Sequence, residues 1–289
     1  MSFLGFGDYE KAGPGVAKDA PKKRPIFQFF DIYFNRFWKL CGLNIIYFLA
    51  CLPIITIGPA TAAFTYVLRA FSQDRHAYIL HDFIKIFKRD FKQSFAMGLI
   101  DLIIFPLLGY ALYFYYYNIV NTSKVYFVFF VLMLSMSFIV VIMHYYIYMQ
   151  IVLLDLKLKQ IIKNSFLLTY MAFWKNLLTF LINTAIIALI VLVTVTVDIS
   201  VWPFILAFIM VIPLSLMGLI ICFNCFPVIK ENVIDPFYKD KGEKNPEDAE
   251  KDTEGVAVFK DMGGMEEPIN PKKKPVSNAK RKSSGKRIS

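Results

Sequence analysis

Residues 125–154 read VYFVFFVLMLSMSFIVVIMHYYIYMQIVLL, a run without a single Asp, Glu, Lys or Arg. About 20 apolar residues in a helix are enough to cross the ~30 Å hydrocarbon core of a bilayer. A helix also satisfies its own backbone polar groups, as lipid requires. Comparable apolar runs occupy residues 93–117, 176–197 and 202–223. The sequence therefore predicts an all-α, polytopic membrane protein with four clear spans.

Composition agrees with this fold class. Of the 289 residues, 57% are hydrophobic, whereas a soluble domain is usually about 45–50% apolar. The formal net charge of +10 does not indicate nucleic-acid binding, because the basic residues flank the apolar runs. No apolar core of a signal peptide occurs in the first 25 residues, so we expect the N-terminal segment to be retained.

The distribution of Lys and Arg predicts the orientation. Seven lie in residues 1–39, five in 72–92 and four in 155–175, whereas the connections 118–124 and 198–201 contain only Lys124. Basic loops stay on the cytoplasmic side of a membrane. The chain is therefore expected to be a multi-pass protein of the cell membrane, with both termini cytoplasmic.

The apolar segment 40–71 is interrupted by proline and glycine. Both of its flanks are basic, so it must cross the membrane twice or not at all. Its two halves, 40–55 and 59–71, rise only ~24 and ~20 Å as helices. It is either a short, tilted helical hairpin, which brings the total to six membrane segments, or a re-entrant pair of half-helices.

The interruption itself forms a broken-helix motif, and we expect Thr56 to cap the second half and Pro59 to lie in its first turn. Two interpretations of the motif stay open, a structural turn and the lining of a ligand cavity. Its residues are Pro53, Thr56, Gly58, Pro59 and Thr61.

Three regions follow from this pattern. Residues 1–36 are predicted to be a cytoplasmic N-terminal segment, 37–229 the transmembrane domain, and 230–289 a charged, disordered cytoplasmic tail. The tripeptide Phe-Trp-Lys occurs at the start of two apolar segments and predicts anchors at the membrane interface. The anchor residues are Trp38, Lys39, Trp174 and Lys175.

Polar residues inside spans are the candidate binding site, because such residues are costly in lipid. Counted from the inner ends of their spans, Asp101, His144 and Asn183 lie at depths of ~14, ~17 and ~12 Å. Asp101 and His144 are on consecutive antiparallel spans, so they can form a buried pair. The pair either binds or relays a proton or cation, or holds two helices together.

Catalytic motifs are absent: the sequence has no G-x-S-x-G, H-E-x-x-H or G-x-x-x-x-G-K. We therefore predict a protein that is not an enzyme, with no cofactor and no metal. Cys222 and Cys225 have the spacing of half a zinc site without a second pair, and are interpreted as buried residues. His76 and His81 lie in a basic loop and are interpreted as solvated.

Two stretches resemble the YesL family of bacterial membrane proteins, a domain of unknown function. They are F-W-K-L-x-x-L-N-x-x-Y-x-L (Phe37–Leu49) and L-P-I-x-T-I-G-P-A-T-A-A (Leu52–Ala63). The resemblance implies an accessory or regulatory role in carbohydrate uptake by ABC-type transporters. The candidate partners are the lipid bilayer, a sugar ABC-transporter permease and a second copy of the chain. The alternative is a small transporter or channel subunit that uses residues 53–63 and the Asp101/His144 layer.

Overall fold

The structure is a computed structural model that describes residues 24–75, 77–242 and 245. The described residues fold into helices connected by short turns. The helices are α1 (Pro25–Asn35), α2 (Phe37–Cys51), α3 (Ile57–Ser72), α4 (Ile79–Arg89), α5 (Phe91–Asn121), α6 (Tyr126–Leu153), α7 (Leu158–Met171), α8 (Phe173–Thr196), α9 (Trp202–Val211), α10 (Pro213–Ile229) and α11 (Asp235–Lys241). Short 3₁₀ turns at Ile54–Thr56 and Ile199–Val201 precede α3 and α9.

Five helical stretches of the described residues are long and apolar enough to cross a membrane, and a sixth, Phe37–Cys51, is apolar but shorter. The five are Ile54–Ser72, Phe91–Asn121, Tyr126–Leu153, Phe173–Thr196 and Ile199–Lys241. This confirms the all-helical polytopic fold with four clear spans and a short hairpin. The protein is a multi-pass membrane protein.

Helix α3 lies at the centre of the bundle. It contacts α1, α2, α4, α5, α6 and α10, and Ala62, Ala63 and Val67 are completely buried. The outer helices instead expose apolar side chains, such as Ile103 on α5 and Phe204 on α9. A continuous apolar surface of this kind is suited to contact with lipid.

Two glycines set the distance between α3 and α5. A Cβ atom on Gly58 would overlap the carbonyl oxygen of Ser94, and one on Gly98 would lie 2.8 Å from the Cα of Gly58. Because the obstructing atoms belong to the backbone, they cannot move aside as a flexible side chain would. The T-I-G-P-A-T block therefore contains a glycine because two helix backbones touch there.

A short helix, a one-residue kink and a membrane helix recur three times, as α1–α2, α4–α5 and α7–α8. At each kink the amide donates to the carbonyl four residues before, and the carbonyl accepts from the amide four residues after. The backbone hydrogen bonds thus continue while the chain changes direction. The kink residues are Arg36, Asp90 and Ala172, and Phe37, Phe91 and Phe173 follow them.

Trp38 and Trp174 lie in the first turns of α2 and α8, directly after two of these kinks. Their side chains are 84% and 79% exposed. The position after a short surface helix is where an amphipathic ring meets the headgroup region. It suits the predicted role as interfacial anchors, together with Lys39 and Lys175.

Polar contacts join the basic segments at one end of the bundle. Arg36 donates to Asp74 at 2.6 Å and to the carbonyl of Arg75 at 2.5 Å. Arg89 donates to the carbonyl of Val152 at 2.9 Å. These contacts tie the kink before α2 to the α3–α4 turn, and the end of α4 to the end of α6.

The last span differs from the predicted continuous run 202–223, because it breaks between α9 and α10 at Pro213. Proline lacks the amide that would continue the helix. The Nδ2 atom of the buried Asn44 donates to the carbonyl of Val211 at 2.6 Å and to the hydroxyl of Ser215 at 2.9 Å. A side chain from α2 thus compensates for the break, as lipid requires.

The helical region also extends beyond the predicted boundary at residue 230. A π-helical turn, Lys230–Ile234, leads into α11, and Gly242 ends it in the left-handed conformation, with φ of 69°. Ile234 is buried, so apolar packing continues where the local composition is already polar. The remainder of the predicted tail, residues 246–289, and residues 1–23 lie outside the described residues.

The hairpin turn is held together differently from the prediction. Thr56 occupies the N-cap position of α3 and Pro59 lies in its first turn, as predicted, but the Thr56 hydroxyl makes no capping hydrogen bond to α3. Its hydroxyl lies 2.6 Å from the carbonyl oxygens of both Ala50 and Pro53. The last carbonyls of a helix have no partner within that helix. The Thr56 hydroxyl therefore binds these carbonyls instead of an amide of α3.

Helices α2 and α3 contain 15 and 16 residues, which corresponds to ~22 and ~24 Å at 1.5 Å per residue. An upright hairpin of this length ends short of the far side of a ~30 Å hydrocarbon core. Leu52, Ile54 and Ile55 at its tip are apolar and exposed. Counted with the 3₁₀ turn, the second arm, Ile54–Ser72, is long enough to cross and only α2 is shorter, so the re-entrant arrangement stays a prediction.

We expect Gly98→Ala to destabilise the protein by about 1–3 kcal/mol, because the new methyl group overlaps the backbone at Gly58. Gly109→Ala, on the same helix, is the control, because its Cβ meets nothing within 4 Å. That change should be neutral or stabilise by up to about 1 kcal/mol. Unfolding in nanodiscs measures the stability of both variants. Equal changes in stability would contradict the close contact between Gly58 and Gly98.

Cysteines introduced at Leu52 and Ile55 should resist a membrane-impermeant maleimide from both sides of a vesicle, in a chain that also carries Cys51→Ser. The tip is expected to lie inside the bilayer, out of reach of the reagent. Ser123→Cys, in the connection between α5 and α6, should react from one side. Labelling of the tip from that same side would require a full crossing instead.

Candidate functional site

A hydrogen-bonded triad joins α5 and α6 inside the membrane domain. His144 Nε2 lies 2.6 Å from Asp101 Oδ1, and the Tyr148 hydroxyl donates to Asp101 Oδ2 at 2.5 Å. This confirms that Asp101 and His144 pair. Tyr148 was missed, although its position one turn after His144 places it on the same helix face.

The triad contains one shareable proton. His144 Nδ1 lies 2.8 Å from the carbonyl oxygen of Val140, and because a carbonyl only accepts, Nδ1 carries a hydrogen. One further proton then lies between Nε2 and the Asp101 carboxyl. The pair is either imidazolium with carboxylate or neutral imidazole with carboxylic acid. Both forms have zero net charge, which limits the cost of burying them in lipid.

A cavity of about 530 Å³ lies between α2, α3, α5, α6 and α10, and the triad forms part of its wall. Most of the other lining side chains are apolar. Ile54, Leu102 and Phe105 line the cavity and are also exposed on the outside of the bundle. These three residues belong to apolar membrane stretches, so the mouth of the cavity faces the bilayer.

The broken-helix motif contributes to this cavity. Thr61 lines it together with Ile54 and Ile57, next to the turn, while Gly58 makes the contact with Gly98. The motif is thus both a structural turn and part of a cavity wall. A ligand in that cavity stays a prediction.

Asn183 belongs to a different cluster from the triad. It is buried on α8 and does not line the cavity; its polar neighbour is Tyr145, yet its amide atoms make no hydrogen bond within normal limits. Equal depth did not bring it to the triad, because successive residues of α6 face different helices. His144 faces α5, whereas Tyr145 faces α8.

Other polar residues of α8 also bind neighbouring helices. The Tyr146 hydroxyl donates to Asn176 Oδ1 at 2.5 Å, and Asn224 Nδ2 donates to the Thr179 hydroxyl at 3.0 Å. Asn176, Thr179 and Asn183 are three and four residues apart, so they share one face. Hydrogen bonds of this kind hold membrane helices together, which is a structural role.

Cys222 and Cys225 are free, buried thiols, which confirms their interpretation as buried residues. Cys222 lines the cavity, and its Sγ lies 3.8 Å from the carbonyl oxygen of Thr65. Within the described ranges, no group of three or more His, Cys, Asp and Glu side chains could hold a metal. His81 is on α4, and His76 lies outside the described residues.

The fold and the site define a class: a polytopic helical membrane protein with a mostly apolar cavity and a hydrogen-bonded Asp–His–Tyr triad in its wall. Residues 40–114 match the family model described as "Protein of unknown function, DUF624". The match runs from α2 through most of α5, and thus includes the hairpin, the Gly58–Gly98 crossing and Asp101. No curated protein and no solved structure matches the chain.

Replacing Asp101 with Leu should destabilise the protein by about 1–3 kcal/mol, because His144 and Tyr148 would lose their buried partner. The double variant with Tyr148→Phe should be destabilised by less than the sum of the two single variants. Each single change already removes the same hydrogen bond between Tyr148 and Asp101. Equilibrium unfolding in nanodiscs measures this coupling.

Ser135→Ala is the control for that cycle. Ser135 is exposed on α6, and its hydroxyl binds only carbonyls of its own helix. Its effect should add to that of Asp101→Leu within about 0.5 kcal/mol. If the free-energy changes of Asp101→Leu and Tyr148→Phe also added, the contact between Asp101 and Tyr148 would contribute nothing to stability.

Proposed function

We propose that this is a non-enzymatic protein of the cell membrane that binds an amphipathic small molecule entering from the bilayer. The observation that carries the proposal is the cavity of about 530 Å³, whose exposed rim belongs to membrane helices. Its volume is in the range of small-molecule sites, which are mainly apolar with a few polar groups. Here the polar groups of the triad would receive the head of the ligand, and the apolar wall its tail.

The hydrogen bonds of His144 support a role in binding rather than catalysis. A histidine that activates a nucleophile needs a ring nitrogen free to accept a proton. Nδ1 is engaged by the carbonyl of Val140 and Nε2 by Asp101. The thiol of Cys222, a nucleophile type in the same cavity, is directed at the carbonyl of Thr65 instead.

Mass spectrometry of the protein purified from its native membranes would test the proposal. The wild type should retain an amphipathic molecule, and Leu102→Trp should reduce its amount by about tenfold, because a larger side chain at the mouth obstructs entry. Leu107→Trp is the matched control on the same helix; Leu107 is exposed to the same lipid but does not line the cavity.

Two results would refute ligand binding in this cavity. One is the retention of the same molecules at the same level by wild type and Leu102→Trp. The other is an equal loss of ligand in both tryptophan variants, which would indicate a general effect on the lipid-facing surface. Thermal unfolding of each variant shows whether a loss reflects misfolding.

The finer proposal, an accessory or regulatory role in carbohydrate uptake, depends on the resemblance to YesL proteins. An interaction with a sugar ABC-transporter permease would use the lipid-exposed faces or the basic end of the bundle. Purification from native membranes in mild detergent, with subunits identified by mass spectrometry, tests this. A stoichiometric permease supports the proposal, and a chain that purifies alone or with itself contradicts it.

The alternative function, a small transporter or channel subunit, is supported by one observation. The broken segment and the Asp101–His144 pair, which the sequence places apart, line the same cavity. Reconstitution in liposomes would separate transport from binding alone. Solute flux that is lost in Leu102→Trp and retained in Leu107→Trp would favour transport.

A further inference from the structure

Three hydroxyl protons on the cavity wall, those of Tyr47, Thr61 and Thr65, are directed at acceptors within the protein. Thr61 donates to the carbonyl of Ile57 at 2.7 Å, and Thr65 to the carbonyl of Thr61 at 2.8 Å. Tyr47 lies 3.2 Å from the Thr61 hydroxyl, and because the Thr61 proton is in use, Tyr47 is the donor. What these hydroxyl groups still offer to a ligand is lone pairs.

The triad offers acceptors as well. Tyr148 directs its proton to Asp101 Oδ2, and both ring nitrogens of His144 face acceptors. Each carboxyl oxygen of Asp101 still has a lone pair available. An anionic head would therefore meet oxygen atoms and find no free donor among these groups.

Charge and aromatic content of the wall point in the same direction. Among the described residues that line the cavity there is no Lys or Arg. Phe64 and Phe105 are among the aromatic residues that line the cavity, and the Phe105 ring lies 4.8 Å from the His144 ring. The faces of aromatic rings attract cations.

The geometry points to a monovalent amphipathic cation as the ligand, bound beside Asp101 in exchange for the proton that Asp101 and His144 share. This inference rests on the proposed ligand-binding function. It names the charge of the head group and couples binding to release of a proton.

The exchange balances in charge and atoms. Before binding, the pair holds the shared proton and is neutral. When the cation enters, the bond to the shared proton breaks and the proton leaves to water. Asp101 is then a carboxylate, and His144 is a neutral imidazole that keeps its Nδ1 hydrogen on the carbonyl of Val140. The site with its cation is again neutral, as a low-dielectric environment favours.

Other titratable groups line the same cavity as the pair, and each keeps its proton through the exchange. They are phenols and a thiol, whose ordinary pKa values lie above that of a histidine or a carboxyl group. Helix α3 contributes hydroxyl groups of threonine rather than an ionisable group. The groups are Tyr47 on α2, Tyr145 and Tyr148 on α6, and Cys222 on α10.

Three probes with the same octyl chain test the inference: octyltrimethylammonium, 1-octanol and octanesulfonate. The first is a permanent cation, so any proton released comes from the protein. Calorimetry on the full chain in nanodiscs, in two buffers with different ionisation enthalpies, counts the protons. Empty nanodiscs correct for partition of each probe into lipid.

For the wild type we expect the cation to bind more tightly than the other probes and to release one proton. Its affinity should increase about tenfold per pH unit while the shared proton is bound. Asp101→Asn should lose this advantage and the proton release but still bind octanol. Ser135→Ala is the control variant and should leave cation binding and proton release unchanged, because Ser135 is exposed on α6 and does not line the cavity.

Tighter binding of octanesulfonate, or uptake of a proton, would overturn the inference, as would cation binding without proton release. If octanol and the cation bound equally with no proton released, ligand binding in the cavity would be supported. The exchange of a cation for the shared proton would be refuted. If no probe bound beyond empty nanodiscs, the proposed ligand-binding function would fall as well.

Discussion

The close crossing of α3 and α5 at Gly58 and Gly98 is the contact on which the rest of the membrane domain depends. It lets α3 lie at the centre of the bundle, in contact with α1, α2, α4, α5, α6 and α10. The turn before α3 is thereby held against the middle of α5. A side chain at either glycine would separate the two backbones and remove one wall of the cavity.

A second constraint is that each polar group in the membrane domain needs a partner. The bundle meets it at three places, though not at the amide of Asn183: Asn44 binds the backbone at the break between α9 and α10, Thr56 binds the carbonyl of Ala50 near the end of α2, and the triad pairs an acid with a base. The first two stabilise irregular backbone. The triad differs because it lies in a cavity wall and contains a proton that it can exchange.

Some predictions succeeded because the signal is local. Apolar runs and the spacing of polar residues along a helix predicted the spans to within a few residues and placed Asp101 opposite His144. Others failed because the deciding contact is distant in sequence. The side chain that binds the backbone at the break between α9 and α10, Asn44, is 167 residues before Val211. Asn183 was likewise grouped with Asp101 and His144 only because its predicted depth is similar. In the structure Asn183 lies next to Tyr145, on a different side of α6 from His144.

The sequence by itself determined the class of protein, because hydrophobicity over about 20 residues is enough to place a helix in lipid. It also identified the segment 53–63 and the intramembrane Asp and His as unusual, since lipid makes such residues costly. Only the tertiary structure decided that these features share one cavity, that Tyr148 completes the triad, and that the mouth faces the bilayer. Those facts depend on how helices rotate and cross, which is set by packing between segments far apart in the chain.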